Sequence, residues 1–254
     1  TRPWRTLSEV VAKGGLRNLS GGDTVLLHEG NHGFVSFSGG PARGMVRIEA
    51  APGAKPDLAG LVVTAGRGWH FKGLSISPSF LQPGERGSRA GIVELGDRGD
   101  SSEIVLEDCF VYALLDTSDW SLEDWKKAPR GILTGRHAVG LVLRNNHVLN
   151  TRHGIVLGGE ESICEANIVE NFSGDGIRVT RDGITVRHNI VKNVYCSPED
   201  GDSNHDDGIQ CFLFNKGTGT LRRATIEDNI IYTREDEAQR FPSIMQGIGF
   251  FDGP

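Results

Sequence analysis

Asn146-His-Val-Leu-Asn150 returns as Asn167-Ile-Val-Glu-Asn171, as Asn189-Ile-Val-Lys-Asn193 and, with its end altered, as Asn229-Ile-Ile-Tyr-Thr233. Cys109-Phe-Val-Tyr-Ala113 is a degenerate copy. A second phrase, Gly-Ile followed by alternating residues, begins at Gly91, Gly131, Gly154, Gly176, Gly208 and Gly247 and interleaves with the first. The residue three before each Asn phrase is apolar (Leu106, Leu143, Cys164, Val186, Ile226), so each repeat holds three short alternating runs. Where nothing is inserted the period is 21 or 22 residues, as between Asn146, Asn167 and Asn189. Fixed periods of this size mark solenoids. The runs are rich in Val and Ile, alternate with period two, and carry glycine where a helix would tolerate it poorly, which excludes helical repeats. The expected fold is all-β, a stack of coils with three strands each.

Composition narrows the function classes. The chain has 254 residues, 37% apolar and 24% charged, which suits a globular protein with a substantial core. Glycine, at 35 residues, is roughly twice its usual ~7% share, as many turns require. Against 33 acidic residues stand 27 basic ones, a net charge of −6, so there is no basic footprint for nucleic acid. No run approaches the roughly 18 apolar residues of a membrane-spanning helix. Neither nucleic acid nor membrane is an expected partner.

In stacked coils each residue lies over its counterpart one repeat away, about 4.8 Å along the axis, so columns can be read directly. Asn146, Asn167, Asn189 and Asn229 form a corner column. There Asn tolerates left-handed backbone and its amide can bond along the stack, so these residues are assigned to architecture. Cys164 and Cys211 fall in apolar columns beside Val186 and Val179 and read as buried hydrophobes. Cys109 replaces a ladder Asn and Cys196 lies in a loop, and no cysteines have zinc-site spacing.

Over residues ~60 to 254 these features resemble the right-handed parallel β-helix of the pectate-lyase-like superfamily, which includes pectate lyases, polygalacturonases, alginate epimerases and viral tailspikes. The resemblance implies a right-handed single-stranded parallel β-helix. It also places the asparagine turn between the second and third sheets, which makes the Gly-Ile strands the first sheet. Residues 1–254 are expected to form a single domain, with a cap over 1–20 and repeat coils over ~60–254. Thr6-Leu-Ser-Glu9 reads as a capping box ahead of Leu7, Val10 and Val11, and Gly14-Gly15 stops this short N-terminal helix, which would cover an otherwise unpaired strand edge. At the other end Phe250-Phe-Asp-Gly-Pro254 follows a Gly-Ile strand without such a cover, so further chain or a partner is expected there.

Insertions mark the face that binds. Long segments at Ser77–Ala90, Leu114–Arg130, Val194–Asp206 and Thr233–Met245 all fall between an Asn strand and the next Gly-Ile strand, whereas the coils between Asn146 and Asp175 have almost none. The expected result is a trough for a chain-like ligand, floored by His153, Asp175 and the strand after Asp175. The residues before Gly-Ile form a column: Ala90, Arg130, His153, Asp175, Asp207, Gln246. Two stacked carboxylates repel, which predicts a raised pKa or a bound cation. Arg178 lies on the outside of the same sheet, under Val156 and above Gln210, where it can meet an anionic substrate. His205 and Asp206 precede Asp207 and can add a proton donor or acceptor. A plain turn role for Asp175 and Asp207 is the competing explanation.

His153-Gly followed by Asn167-Ile-Val-Glu-Asn-Phe-Ser-Gly-Asp175-Gly-Ile is similar to the alginate epimerase pattern. Asn204-His-Asp-Asp207-Gly looks like the Asn-Thr-Asp-Gly of polygalacturonases. The resemblance implies a carbohydrate-active enzyme working on an acidic polysaccharide by lyase or C5-epimerase chemistry. Abstracting a uronate C5 proton needs a base, a group that neutralises the adjacent carboxylate, and a donor. Arg178 takes the carboxylate role, His153 the base or acid role, and Asp175 with Asp207 orient or hold a metal, with His205 in support. Arg152, Gln210, Trp120 and Trp125 are assigned to substrate binding, and the two tryptophans have a second reading as residues that fold their loop onto the solenoid. Asp200-Gly-Asp202-Ser-Asn204-His-Asp206 alternates oxygen ligands as calcium loops do, which makes Ca2+ the candidate cofactor, with a solvated acidic loop as the alternative. Two other functions stand beside the first: a glycoside hydrolase using Asp175 and Asp207, and a non-catalytic glycan-binding or tailspike-like solenoid. A polysaccharide substrate implies a secreted, periplasmic or cell-surface location.

Overall fold

The computed structural model describes residues 4–88, 90–195, 206–213 and 220–251. Its strands form three parallel sheets of nine, eight and eight members, with one strand from each sheet per turn of chain. The fold is a right-handed parallel β-helix with three strands per coil. The first sheet holds the Gly-Ile strands, among them Gly91–Leu95, Arg130–Thr134, Ile155–Leu157, Ile177–Val179 and Ile209–Cys211. The second holds the strands that precede the Asn phrase, such as Val142–Arg144, Ile163–Glu165 and Thr185–Arg187. The third holds the Asn phrases themselves, His147–Thr151, Ile168–Phe172 and Ile190–Val194. Among the described residues no helix is long and apolar enough to cross a membrane.

The coils begin earlier than the phrases suggest. Thr24–Leu27, Gly30–Asn31 and Phe34–Phe37 already pair with the coil after them. These front coils have no asparagine corner, so their periodicity is hidden in the sequence. Helix α1, Leu7–Ala12, closes this end. Thr6 accepts the Glu9 N–H at 3.1 Å, while the Glu9 carboxylate bonds Lys13, so only half of the expected capping box forms. Leu7, Val10 and Leu16 join the core, and Gly14, at φ 71°, turns the chain. In the last described coil Ile230, Tyr232, Ile248 and Phe250 are exposed.

Inside the solenoid each apolar side chain stacks on its counterpart, as in the column Leu106, Leu143, Cys164, Val186, Ile226. Cys164 and Cys211 are buried beside Val186 and Val179, and burial pushes both thiols up to about 12. The asparagine corner is a continuous ladder. Asn167 Oδ1 accepts from both the main chain and the amide of Asn146, each at 2.9 Å, and Asn189 and Asn229 repeat this arrangement one and two rungs on. The left-handed residue is the one before each ladder asparagine (Asn145, Ala166, His188, Asp228) and before Cys109 in the degenerate copy (Asp108), all at φ 52° to 56°, which corrects the expectation that the ladder residue itself takes that conformation. A second ladder, Asn150 to Asn171 to Asn193, does sit in left-handed backbone, with amide contacts of 2.9 and 3.1 Å.

On the outside of the second sheet another column alternates in charge: Glu49, Lys72, Glu107, Arg144, Glu165, Arg187, Glu227. Arg144 meets Glu107 at 3.1 Å and Glu165 at 3.7 Å, and Arg187 meets Glu165 at 2.7 Å. Each interior member therefore has opposite charges above and below, a cross-strand pairing that stabilises one register.

Candidate active site

The insertions leave the solenoid at the corner between the third and first sheets, as the sequence predicts. The described parts of Leu114–Arg130 and Thr233–Met245 do not flank an open trough there. In the Leu114–Arg130 segment, helix α2 (Leu122–Lys127) is closed by a full capping box between Ser121 and Asp124, and the segment folds across the next two coils. Ser173 Oγ donates to the Trp125 carbonyl at 2.7 Å and Arg152 donates to the Lys126 carbonyl. Trp125, 1% exposed, stacks on Tyr195 with ring centres 4.1 Å apart, and Trp120 meets its edge. From the Thr233–Met245 segment, Arg240 donates to the Ser118 carbonyl and Gln239 to that of Val194. The Leu114–Arg130 and Thr233–Met245 segments thus join into an arch over the corner. Trp125 has no free face for a sugar and serves as the packing residue of its loop.

Beneath the arch lies the predicted column. Gly131 N–H donates to the His153 carbonyl, Gly154 to that of Asp175 and Gly176 to that of Asp207, so the three residues stack in order. The structure buries them: His153 is 3% exposed, and Asp175 and Asp207 have no exposed surface. They are therefore the buried support of the site and not the floor of a groove. Asp175 Oδ2 receives the Arg178 guanidinium, and Oδ1 accepts the Asp207 N–H at 3.1 Å. Asp207 Oδ2 accepts from Gln210 Nε2 at 3.1 Å. Asp175 thus has a donor on each oxygen, and Asp207 has one on Oδ2.

His153 Nδ1 accepts the Asp175 N–H at 3.0 Å. Burial, and then the cations Arg178, Arg130 and Arg152, hold its pKa well below the ordinary histidine value. The ring is neutral at pH 7, and with Nδ1 accepting, its proton sits on Nε2. One nitrogen is occupied and the other already protonated, so the imidazole in this arrangement cannot take a substrate proton.

The open surface lies alongside, on the outer face of the first sheet. Ile132, Ile155 and Ile177 point inward, and Leu133, Val156 and Arg178 alternate with them to the outside. These three floor a groove of about 520 Å³ with Phe212 at one side. Arg130, Arg136 and Arg181 also line it, and Asp97 is the one acidic residue among the described lining. Arg178 reaches this groove from its buried Asp175 anchor, and its guanidinium lies over the Phe212 ring at 5.8 Å. Desolvation and the like charges of Arg178 and Arg152 loosen the hold of Arg130 on its proton. Sequence reasoning placed Arg130 in the column without a role and missed Arg136 and Arg181, although each follows its Gly-Ile glycine by five residues.

Of the remaining sequence-predicted residues, Arg152 is half-buried against α2, Gln210 is buried on Asp207, and Trp120 lines a separate cavity. Asp200, Asp202, Asn204, His205 and Cys196 lie outside the described residues. Asp206 accepts the Ser243 hydroxyl at 2.5 Å. Among the described residues no three His, Cys, Asp or Glu side chains converge as a metal site would require.

A family model described as "Right handed beta helix region" matches residues 130–248. No curated protein sequence matches the chain. Among solved structures, an alginate lyase from Paenibacillus sp. str. FPU-7 is similar at 16% identity and TM-score 0.46, over 86% of this chain and 93% of its own. The pectate lyase Pel9A is similar at 11% identity and TM-score 0.42, over 91% of this chain and 75% of its own. The family 6 alginate lyase AlyGC is similar at 10% identity and TM-score 0.39, over 95% of this chain and 53% of its own.

Proposed function

We propose that this protein is a polysaccharide lyase that binds a polyuronate along the outer face of the first sheet. The observation that carries this reading is the convergence of Arg130, Arg136, Arg178 and Arg181 on one groove with an apolar floor. Guanidinium groups match carboxylates in shape and charge, and Leu133, Val156 and Phe212 offer apolar surface to sugar rings. Arg178, anchored from below by Asp175, neutralises the uronate carboxylate and so acidifies the C5 proton. With His153 occupied by its own hydrogen bond, Arg130, which lines the groove with Arg178 and whose hold on its proton burial loosens, is the assigned proton acceptor. Arg130 takes the C5 proton, the C5–H electrons form the C4–C5 double bond, the C4–O4 bond breaks, and the leaving O4 takes a proton from solvent water. Return of the proton to the opposite face of C5 without cleavage would give an epimerase instead. A hydrolase using Asp175 and Asp207 is disfavoured by the complete burial of both carboxylates.

Incubation with alginate, polygalacturonate and other polyuronates, with and without added calcium, tests the proposal. Ultraviolet absorbance from an unsaturated uronate end supports it, and the loss of that signal in Arg178→Ala ties it to the groove. Exchange at C5 without absorbance identifies an epimerase. Reducing ends without absorbance identify a hydrolase. Polyuronate binding with no turnover at any pH leaves a glycan-binding solenoid. A polymeric substrate of this kind supports a secreted, periplasmic or cell-surface location for the protein.

A further inference from the structure

On the third-sheet side of the arch lies a second cavity, about 440 Å³, which shares no lining residue with the arginine groove. Its floor includes Leu149 and the ladder residues Asn150 and Asn171, and its walls come from the two insertions that Arg240 ties together. We propose that this cavity is a second saccharide site, one that takes an uncharged sugar unit.

Four features argue for that class of ligand. The volume lies within the roughly 300–1,000 Å³ of small-molecule pockets, whereas loops joined for packing alone would be expected to fill it. Its charge is opposite in sense to that of the groove. Asp116 and Asp236 line it, and backbone and hydroxyl bonds from Ser118 hold Asp116 ionised. Arg240, the one cation in the described lining, is engaged by the Ser118 carbonyl and lies over Phe241. A uronate would meet repulsion here, while sugar hydroxyls would find carboxylate acceptors. Donors are present too: Trp120 and Tyr195 line the cavity, and the indole N–H of one and the hydroxyl of the other make no hydrogen bond among the described residues. Half-buried Trp120 adds the aromatic surface on which a sugar ring can stack.

Isothermal titration of the intact protein with cellobiose, mannobiose, xylobiose and laminaribiose tests this, with digalacturonate as the anionic comparison. The expected result is saturable one-site binding of at least one neutral disaccharide, without competition from digalacturonate. Trp120→Phe preserves the packing on Trp125 and removes the N–H. Asp236→Asn preserves the Oδ1 atom that accepts the Ala238 N–H. Each should weaken binding tenfold or more, and Arg178→Ala should leave it unchanged. Failure of all four disaccharides to bind overturns the proposal, as does binding that digalacturonate displaces or that Arg178→Ala abolishes. Polyuronate cleavage is measured separately, so neither reading falls with the other.

Discussion

Asp175, with no surface of its own exposed, holds the guanidinium that Arg178 presents to the groove. A cation fixed by a buried carboxylate keeps its aim without the rotamer freedom of a surface arginine. Asp175→Asn removes the ionic anchor and keeps the shape. Polyuronate binding should weaken about tenfold, or ~1.4 kcal/mol, and Arg178→Ala should cost at least as much. The double variant should bind no worse than Arg178→Ala alone, because both changes act through one guanidinium. Titration calorimetry of the four proteins completes the cycle.

The rate of polyuronate cleavage should rise with pH above neutrality. Arg130 accepts a proton only when neutral, and burial, then the cations Arg178 and Arg152, lower its pKa, so the active fraction grows as pH increases. Arg130→Lys should reshape this profile and Arg130→Ala should remove turnover while polyuronate still binds. Initial rates from absorbance across a pH series provide the check.

His153 gives stability the same direction with pH, for a different reason. Its folded pKa is depressed, so between the folded value and the ordinary ~6.5 the unfolded chain binds more protons. The neutral-ring contribution is complete above the unfolded value and declines as pH falls through that window, by up to about 1.4 kcal/mol per pH unit. Denaturant melts at pH 7.5 and 5.5 should show this loss in the wild type and a smaller one in His153→Gln.

The interior of the asparagine ladder should be costly to break. Asn167→Ala leaves the buried Asn146 N–H and Leu143 carbonyl without their partners, which predicts a loss of about 2–5 kcal/mol. Asn229→Ala, at the ladder's half-exposed end, should cost less. Urea midpoints at constant slope would measure both.

The coils were legible in the sequence because Asn, Gly-Ile and the apolar residue three before the Asn recur in a fixed order, 21 or 22 residues apart between Asn146 and Asn189. Arg178 was legible because alternation alone puts it outside between Val156 and Gln210. The front coils were not, because Pro56–Leu58 and its neighbours keep the backbone pairing without the corner amide. The arch was invisible for another reason. Contacts such as Trp125 on Tyr195 and Arg240 on Ser118 join segments far apart in the chain that have no repeat to set their register. That is why His153 read as the floor of a trough and lies under a roof. The charged column was readable: Glu107, Arg144, Glu165, Arg187 and Glu227 each stand two residues before a ladder position and alternate in sign.

Reversal of one member tests that column. Glu165→Lys would stand between Arg144 and Arg187, so the melting temperature should fall, and the fall should shrink in concentrated salt, which screens these half-exposed charges.

The alternation also imposes a parity on growth. Duplicating or deleting a single coil within residues 142–187 would set two like charges face to face at the junction, whereas adding or removing two coils restores the order. A solenoid marked in this way can lengthen or shorten without electrostatic conflict only in even steps, so the second sheet's surface works as a counter of coils as well as a guide to their register.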